Sequence, residues 1–231
     1  MIAPVKDFLF TAQCFHCGND LTDDENRICM NCWRSLTPVH TDDHTYCVMV
    51  ERFAVEGIVD RFVPLYYFEK GKVLQHLAHF LKYDEITALG FELGTKIGED
   101  LQRQGISADA IIPVPLNKRK ERERGYNQSD CIAQGVSRVL NIPVFPHAVK
   151  RVKYTVTQTH LNADQRKENV ADAFSIRDGD CRVIHDAAIV LVDDIITTGS
   201  TIQEIARVLK ENGARTIIAA SAGLAKLGED T

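Results

Sequence analysis

The stretch that decides the fold is AAIVLVDDIITTGSTIQEIARVLKENGA, residues 187–214. It opens on AAIVLV, an unbroken apolar run of strand length, the pattern of a parallel strand buried on both faces. Further on, Ile202, Ile205, Ala206 and Leu209 fall at i, i+3, i+4 and i+7, one face of a helix. Gly213 supplies the helix stop, and TIIAASA (216–222) reads as the next strand. The piece is a βαβ unit. Asp193, Asp194 and the loop TTGST lie at the C-terminal end of its first strand, the edge where open α/β sheets bind ligands.

The loop chemistry follows from the residue types. Thr197, Thr198, Ser200 and Thr201 offer hydroxyl donors, and Gly199 lets the backbone bend until several N–H groups face inward. The following helix adds its positive end, so the loop suits a phosphate monoester. Two adjacent carboxylates would repel that phosphate, but they accept hydrogen bonds from neutral hydroxyls on the same ligand. A ribose 5-phosphate meets both demands. The plain alternative is a strand that ends in water followed by threonines that only cap a helix. It suits an isolated Asp-Asp pair better than it suits the whole arrangement.

Working outward, the chain alternates strands and helices. RFVPLYYFEKG (61–71) reads as a strand and turn. KVLQHLAHFLKYDEI (72–86) is a helix with Val73, Leu74, Leu77, Phe80 and Leu81 at helical spacing, and ALGFELGTKIGEDLQRQ (88–104) is a second. DAIIPVP (109–115) is a short buried strand, GYNQSDCIAQGVSRVLN (125–141) a helix, and IPVF (142–145) a strand. Another strand is expected around Ala148 and Val149, and one more at DAFSI (172–176). Between these last two the chain is polar and aperiodic, although LNADQRKEN could cap a short helix; such segments are often lids or binding loops. The alternation predicts an α/β domain with a mainly parallel sheet.

The first residues read differently. CFHC (Cys14, Cys17) and CMNC (Cys29, Cys32) are two CxxC turns separated by eleven polar, turn-forming residues. Together they supply the four sulfurs of a tetrahedral structural zinc site, with no position open for catalysis. A module this small would draw its folding energy from the metal. His16, inside the first turn, reads as a bystander. Cys47, Cys131 and Cys181 read as packing residues.

Composition sets the remaining bounds. A length of 231 residues allows one substantial core plus an appendage. The net charge of −5 gives no whole-chain attraction to nucleic acid, so any polyanion site must be local. No apolar run approaches membrane-spanning length and the first residues lack the features of a signal peptide, so the expected compartment is the cytoplasm, without membrane insertion.

IVLVDDIITTGST (189–201) closely resembles the phosphoribosyl-pyrophosphate (PRPP) signature of type I phosphoribosyltransferases. PVPLNKRKERERGYNQ (113–128), TVTQTHLNADQRKENVADAF (155–174) and the paired CxxC turns ahead of them resemble the ComF/GntX family. These are bacterial zinc-ribbon phosphoribosyltransferase-like proteins linked to DNA uptake in competence. The resemblance runs through nearly the whole chain in order, with GYNQ standing where the family commonly has GFNQ. It implies a type I phosphoribosyltransferase fold, a twisted, mainly parallel sheet flanked by helices, behind a small four-cysteine zinc ribbon. The ribbon would occupy residues 1–45 and the transferase-like domain 46–231, with a hood at about 46–83 and a lid loop at about 151–169.

The resemblance also implies roles. Asp193 and Asp194 would hold the ribose hydroxyls, and Thr197, Thr198, Gly199, Ser200 and Thr201 the 5-phosphate. Pro115, Leu116, Asn117 and Lys118 would present backbone N–H groups to pyrophosphate. Arg151, Gln158 and Arg166 of the lid would reach substrate, Arg166 as a catalytic group. Magnesium would bind mostly through ligand oxygens and water. The implied reaction transfers phosphoribosyl to an acceptor that the hood selects. Lys82 and Tyr83, part of a family LKY motif, have no evident role in it. The competing readings are a non-catalytic PRPP-binding protein and a single-stranded-DNA-handling competence accessory protein that uses the KRKERER patch. Besides PRPP, the candidate partners are single-stranded DNA and competence helicase proteins, and an oligomer is compatible with the sequence. The acidic ribbon loop DLTDDEN argues against phosphate binding by that surface.

Overall fold

The computed structural model of the chain describes residues 12–83, 87–152, 172–177 and 179–228. Its centre is the strand β5 (Ala188–Ile196), whose first five residues are fully buried as the apolar run requires. β5 pairs in parallel with β6 (Thr216–Ala225) on one side and β2 (Ala110–Pro113) on the other. β1 (Arg61–Phe68) pairs in parallel with the far side of β6, giving the order β1-β6-β5-β2. The expected strand IPVF runs beside β2 but forms only one bridge, Ile111 to Val144. Pro143, within it, and Pro146, directly after it, have no N–H to give to a ladder, so the pairing cannot extend.

One face of the sheet is covered by α3 (Val73–Tyr83), α4 (Thr87–Arg103) and α6 (Gln128–Leu140). α4 and α6 approach until their backbones touch. A Cβ on Gly94 would lie 1.9 Å from the Ile132 carbonyl oxygen, and one on Gly135 would lie 2.1 Å from that of Phe91. Only glycine permits this crossing.

The opposite face carries α8 (Ser200–Glu211), α7 (Cys181–Ile184), α2 (His44–Glu56) and a two-stranded antiparallel ribbon of β3 (Val149–Arg151) and β4 (Phe174–Ile176). That ribbon brackets the polar segment read as a lid, most of which lies outside the described residues together with the short helix expected at LNADQRKEN. α2 forms where the sequence reading places no helix, although Tyr46, Met49, Val50 and Phe53 have helical spacing. Met49 and Phe53 are buried, and Gly57 ends the helix in the left-handed region at φ 63°. The KRKERER patch is a short helix, α5 (Lys118–Arg124), with Arg119 bound to Glu123 at 2.8 Å along its exposed face.

The cysteine module contains the short helix α1 (Met30–Arg34) and packs on the α3–α4 face. Phe15 lies against Phe80 with ring centres 5.6 Å apart, and Lys96 Nζ stands 4.3 Å over the Trp33 ring. Two of the cysteines read as packing residues are not: Cys47, on the outer side of α2, and Cys181, at the start of α7, are exposed, while Cys131 is half-buried. Among the described residues no helix is long and apolar enough to cross a membrane.

Candidate functional site at the end of the central strand

The site is built where β5 leaves the core. Asp193 and Asp194 occupy its sixth and seventh positions, half-buried, and each folds back on the chain. Asp193 Oδ1 accepts from Asp194 N at 2.9 Å, and Asp194 Oδ1 accepts from Ile195 N at 2.7 Å. Asp193 Oδ1 also accepts from Ser129 Oγ at 3.2 Å, which ties the start of α6 to the acidic pair. Asp194 Oδ2 faces Lys82 Nζ, on the last turn of α3, at 3.5 Å. Burial and the neighbouring Asp194 carboxylate push the Asp193 pKa well above the usual aspartate range. A hydroxyl-binding role suits such a group, because protonated or charged it can still accept.

The loop after β5 turns into α8 at Gly199, which has φ 77° and occupies the N-cap position. Thr198 Oγ1 and Ser200 Oγ lie 3.0 Å apart, so the two hydroxyls are gathered on one side of the turn. α2 backs this loop. A Cβ on Gly199 would meet Met49 Sδ and a Phe53 ring carbon at 2.9 Å, and Gln203 Nε2 donates to the Arg52 carbonyl at 3.2 Å. The conformation and the close approach both exclude a side chain at 199.

Pro115, Leu116, Asn117 and Lys118 follow β2 directly, one strand across from the acidic pair. Val114 N donates to the Val192 carbonyl at 2.8 Å, which carries the β2–β5 pairing up to this loop. Asn117 then caps α5, its Oδ1 accepting from Arg119 N at 2.9 Å. Asn127, itself the N-cap of α6, donates through Nδ2 to the Val114 carbonyl at 3.0 Å and to Asp130 Oδ1 at 2.9 Å. A cleft of about 450 Å³ opens beside the loop, with Leu116, Lys118, Asp130, His147, Arg151 and Arg177 in its lining. Burial pushes the Asp130 pKa up to about 6.

At the other end of the chain, Cys14, Cys17, Cys29 and Cys32 bring their four sulfurs within 4.8 Å of one another. Cys29 N donates to Cys14 Sγ at 3.3 Å. Burial raises the Cys14 pKa, but backbone N–H groups of Cys17, Cys29 and His16 outweigh it, and the value falls to about 6. Burial among the other sulfurs holds Cys32 well above the usual thiol range. Four converging sulfurs, one already favoured as thiolate, fit a tetrahedral metal ion.

Residues 130–225 match the phosphoribosyl transferase domain model, whose span includes the acidic pair and the hydroxyl loop. Competence protein F of Haemophilus influenzae is 45% identical over 109 residues, 47% of this chain and 47% of that protein. DNA utilization protein YhgH of Shigella flexneri is 43% identical, over 47% of this chain and 46% of that protein. Competence protein ComFC of Bacillus subtilis is 31% identical over 106 residues, 45% of this chain and 39% of that protein. Over this part of its length the chain is similar to proteins of the ComF family. It carries the type I phosphoribosyltransferase fold, and it spans about half the length of the curated relatives it matches.

In this chain the fold gathers Asp193, Asp194 and residues 197–201 at one strand end, with residues 115–118 beside them. Of the lid candidates, Arg151 is on β3 and lines the cleft, while Gln158 and Arg166 lie outside the described residues. Sequence reasoning missed Ser129, Asn127 and Asp130, although all three sit in or just after the GYNQ motif. It also left Lys82 without a role. The tyrosine of GYNQ has one as well: Tyr126 Oη donates to the Leu81 carbonyl, a bond that the family's usual phenylalanine cannot make.

Proposed function

We propose that this chain is a PRPP-binding phosphoribosyltransferase that transfers the phosphoribosyl group to an acceptor and releases pyrophosphate. One observation carries the reading: a pair of carboxylates and a glycine-hinged hydroxyl loop meet at the C-terminal end of the central parallel strand. Thr197, Thr198, Ser200 and Thr201, with the first N–H groups of α8, would hold the 5-phosphate. Asp193 and Asp194 would accept from the ribose hydroxyls. The loop 115–118 would receive the pyrophosphate, with Arg151 and the lid candidates Gln158 and Arg166 closing from the side. The bond from the anomeric carbon to the pyrophosphate oxygen breaks as the acceptor's lone pair forms the new bond. This chain's residues help by orienting the sugar, spreading positive charge near the departing group and excluding water. Magnesium, held mainly by ligand oxygens and water, would supply charge neutralisation on the pyrophosphate. Cys14, Cys17, Cys29 and Cys32 would hold a structural zinc ion.

The test is ligand-induced stabilisation. At a PRPP concentration 100-fold above Kd, with magnesium, binding adds about 2.7 kcal/mol. For a chain of this size that corresponds to a Tm rise on the order of 5–10 °C. The paired change Asp193→Ala/Asp194→Ala abolishes the rise; a wild-type chain that shows none does not bind PRPP. Pyrophosphate release across nucleobases, amines and nucleic acids then identifies the acceptor, and release with none of them marks a binding protein.

A further inference from the structure

One helix, α3, joins the cysteine module to the acidic pair. At the module end, the two residues between Cys14 and Cys17 grip it. Phe15 lies on Phe80 with ring centres 5.6 Å apart, and His16 Nδ1 and His76 Nδ1 share a hydrogen bond at 2.9 Å. His76 and Phe80 stand at i and i+4, so one face of α3 meets the module. The contact continues into the interior: Cys14, Cys29 and Cys32 belong to the same buried cluster as Leu74, Leu77 and Leu81 of α3 and Val190 and Val192 of β5. At the other end, Lys82 Nζ reaches Asp194 Oδ2 at 3.5 Å, with the two side chains only 29% and 19% exposed. From His76 to Lys82 the helix rises about 9 Å.

Between these ends α3 is closely seated. Leu74 and Ile195 both crowd Gly223, where an added Cβ would lie 2.9 Å from Leu74 Cδ2 and 2.5 Å from Ile195 Cδ1. The helix thus packs beside the residue that follows Asp194. Close-packed elements move as units, so a displacement of α3 at the module is felt at Lys82. Lys82 in turn matters to a sugar phosphate through Asp194. An Asp194 carboxylate without a countercharge repels the phosphate of the ligand whose hydroxyls it accepts; Lys82 offsets that repulsion and leaves the oxygens able to accept.

We propose that the cysteine module is a positioning element for sugar binding: through Phe15 on Phe80 and His16 on His76 it holds α3 so that Lys82 neutralises Asp194, and loss of the metal or of these contacts releases Lys82 and weakens ribose phosphate binding. This assignment rests on the PRPP-binding reading above and makes the affinity at the strand end depend on the metal centre.

Calorimetric titration of the metal-loaded full chain with ribose 5-phosphate, a probe that needs no magnesium, tests this link. His76→Ala, on the exposed side of α3, combined with Phe80→Leu, which keeps apolar bulk, loosens the grip and weakens binding roughly 3- to 10-fold, within the range of coupling between distant sites. Lys82→Met weakens it about 10-fold or more, the loss expected for a charged hydrogen bond. All three changes in one chain cost no more than Lys82→Met alone, because they act through the same charge. Lys82→Arg keeps that charge and recovers most of the affinity. Stripping the metal from the wild-type chain with a chelator reproduces the loss, and stripping it from Lys82→Met adds none. Undiminished binding by the His76→Ala/Phe80→Leu chain or by the stripped wild type overturns the link. So do losses that multiply when the changes are combined, since they would mark general damage to the fold. In each of these cases the wild type still binds and the PRPP reading stands. A metal-loaded wild-type chain that binds neither ribose 5-phosphate nor PRPP with magnesium overturns both.

Discussion

In the cleft, the Asp130 carboxyl accepts from Asn127 Nδ2 at 2.9 Å while burial lifts its pKa from 3.8 to about 6. The folded chain therefore binds this proton more tightly than the unfolded chain does. Between pH 4 and pH 6 the unfolded state has lost it and the folded state has not, so stability falls as pH rises through that window. Asp130→Asn keeps an acceptor for Asn127 and removes the titration. Its Tm should gain on the wild type as pH rises from 4 to 6 and hold a constant lead above; parallel melting curves across this range would show that Asp130 is not perturbed. Individual residues were legible in the sequence only where one segment carried the chemistry. Asp193, Asp194 and the hydroxyl loop are contiguous. Ser129 lies 64 residues from the Asp193 carboxylate that it touches, and Lys82 meets Asp194 only through the packing of α3. No local pattern reports such a contact.

The elements were legible in proportion to how strictly their burial enforces a period. The apolar run of β5 and the amphipathic face of α8 were plain because both are packed throughout. α2 shows its period over only eight residues, Tyr46 to Phe53, and it follows a polar stretch that masks its start. IPVF has strand composition, but Pro143 inside it and Pro146 after it deny it a ladder. The α4–α6 crossing is a further case, since its determinant is the absence of side chains at Gly94 and Gly135 rather than the presence of apolar ones. Gly94→Ala forces a methyl group into the Ile132 carbonyl, 1.9 Å away, so the helices must separate. The expected cost is about 3 kcal/mol, the upper end of the overpacking range. A lower urea midpoint at unchanged slope would register it; an unchanged midpoint would mean that the crossing yields freely.

At the scale of the whole molecule, the cysteine module is not a free appendage, because it lies on α3 and α4 through Phe15, Trp33 and Leu36. Trp33 is the single tryptophan of the chain and follows Cys32 directly. Chelating the metal should shift its emission to the red as the ring leaves Lys96, with one zinc ion released per chain; unchanged emission would mean that the module folds without metal. The pairing of β1 with β6 has a different consequence, one for the timing of synthesis. Asp60, at the foot of β1, accepts from Ile217 N across 157 residues of chain, and among the described strands β1 has no partner but β6. At about 5–20 residues per second, a ribosome takes roughly 10–30 s to deliver that partner. The cysteine module can close early on local contacts, while β1 waits with an unpaired edge until β6 has been made.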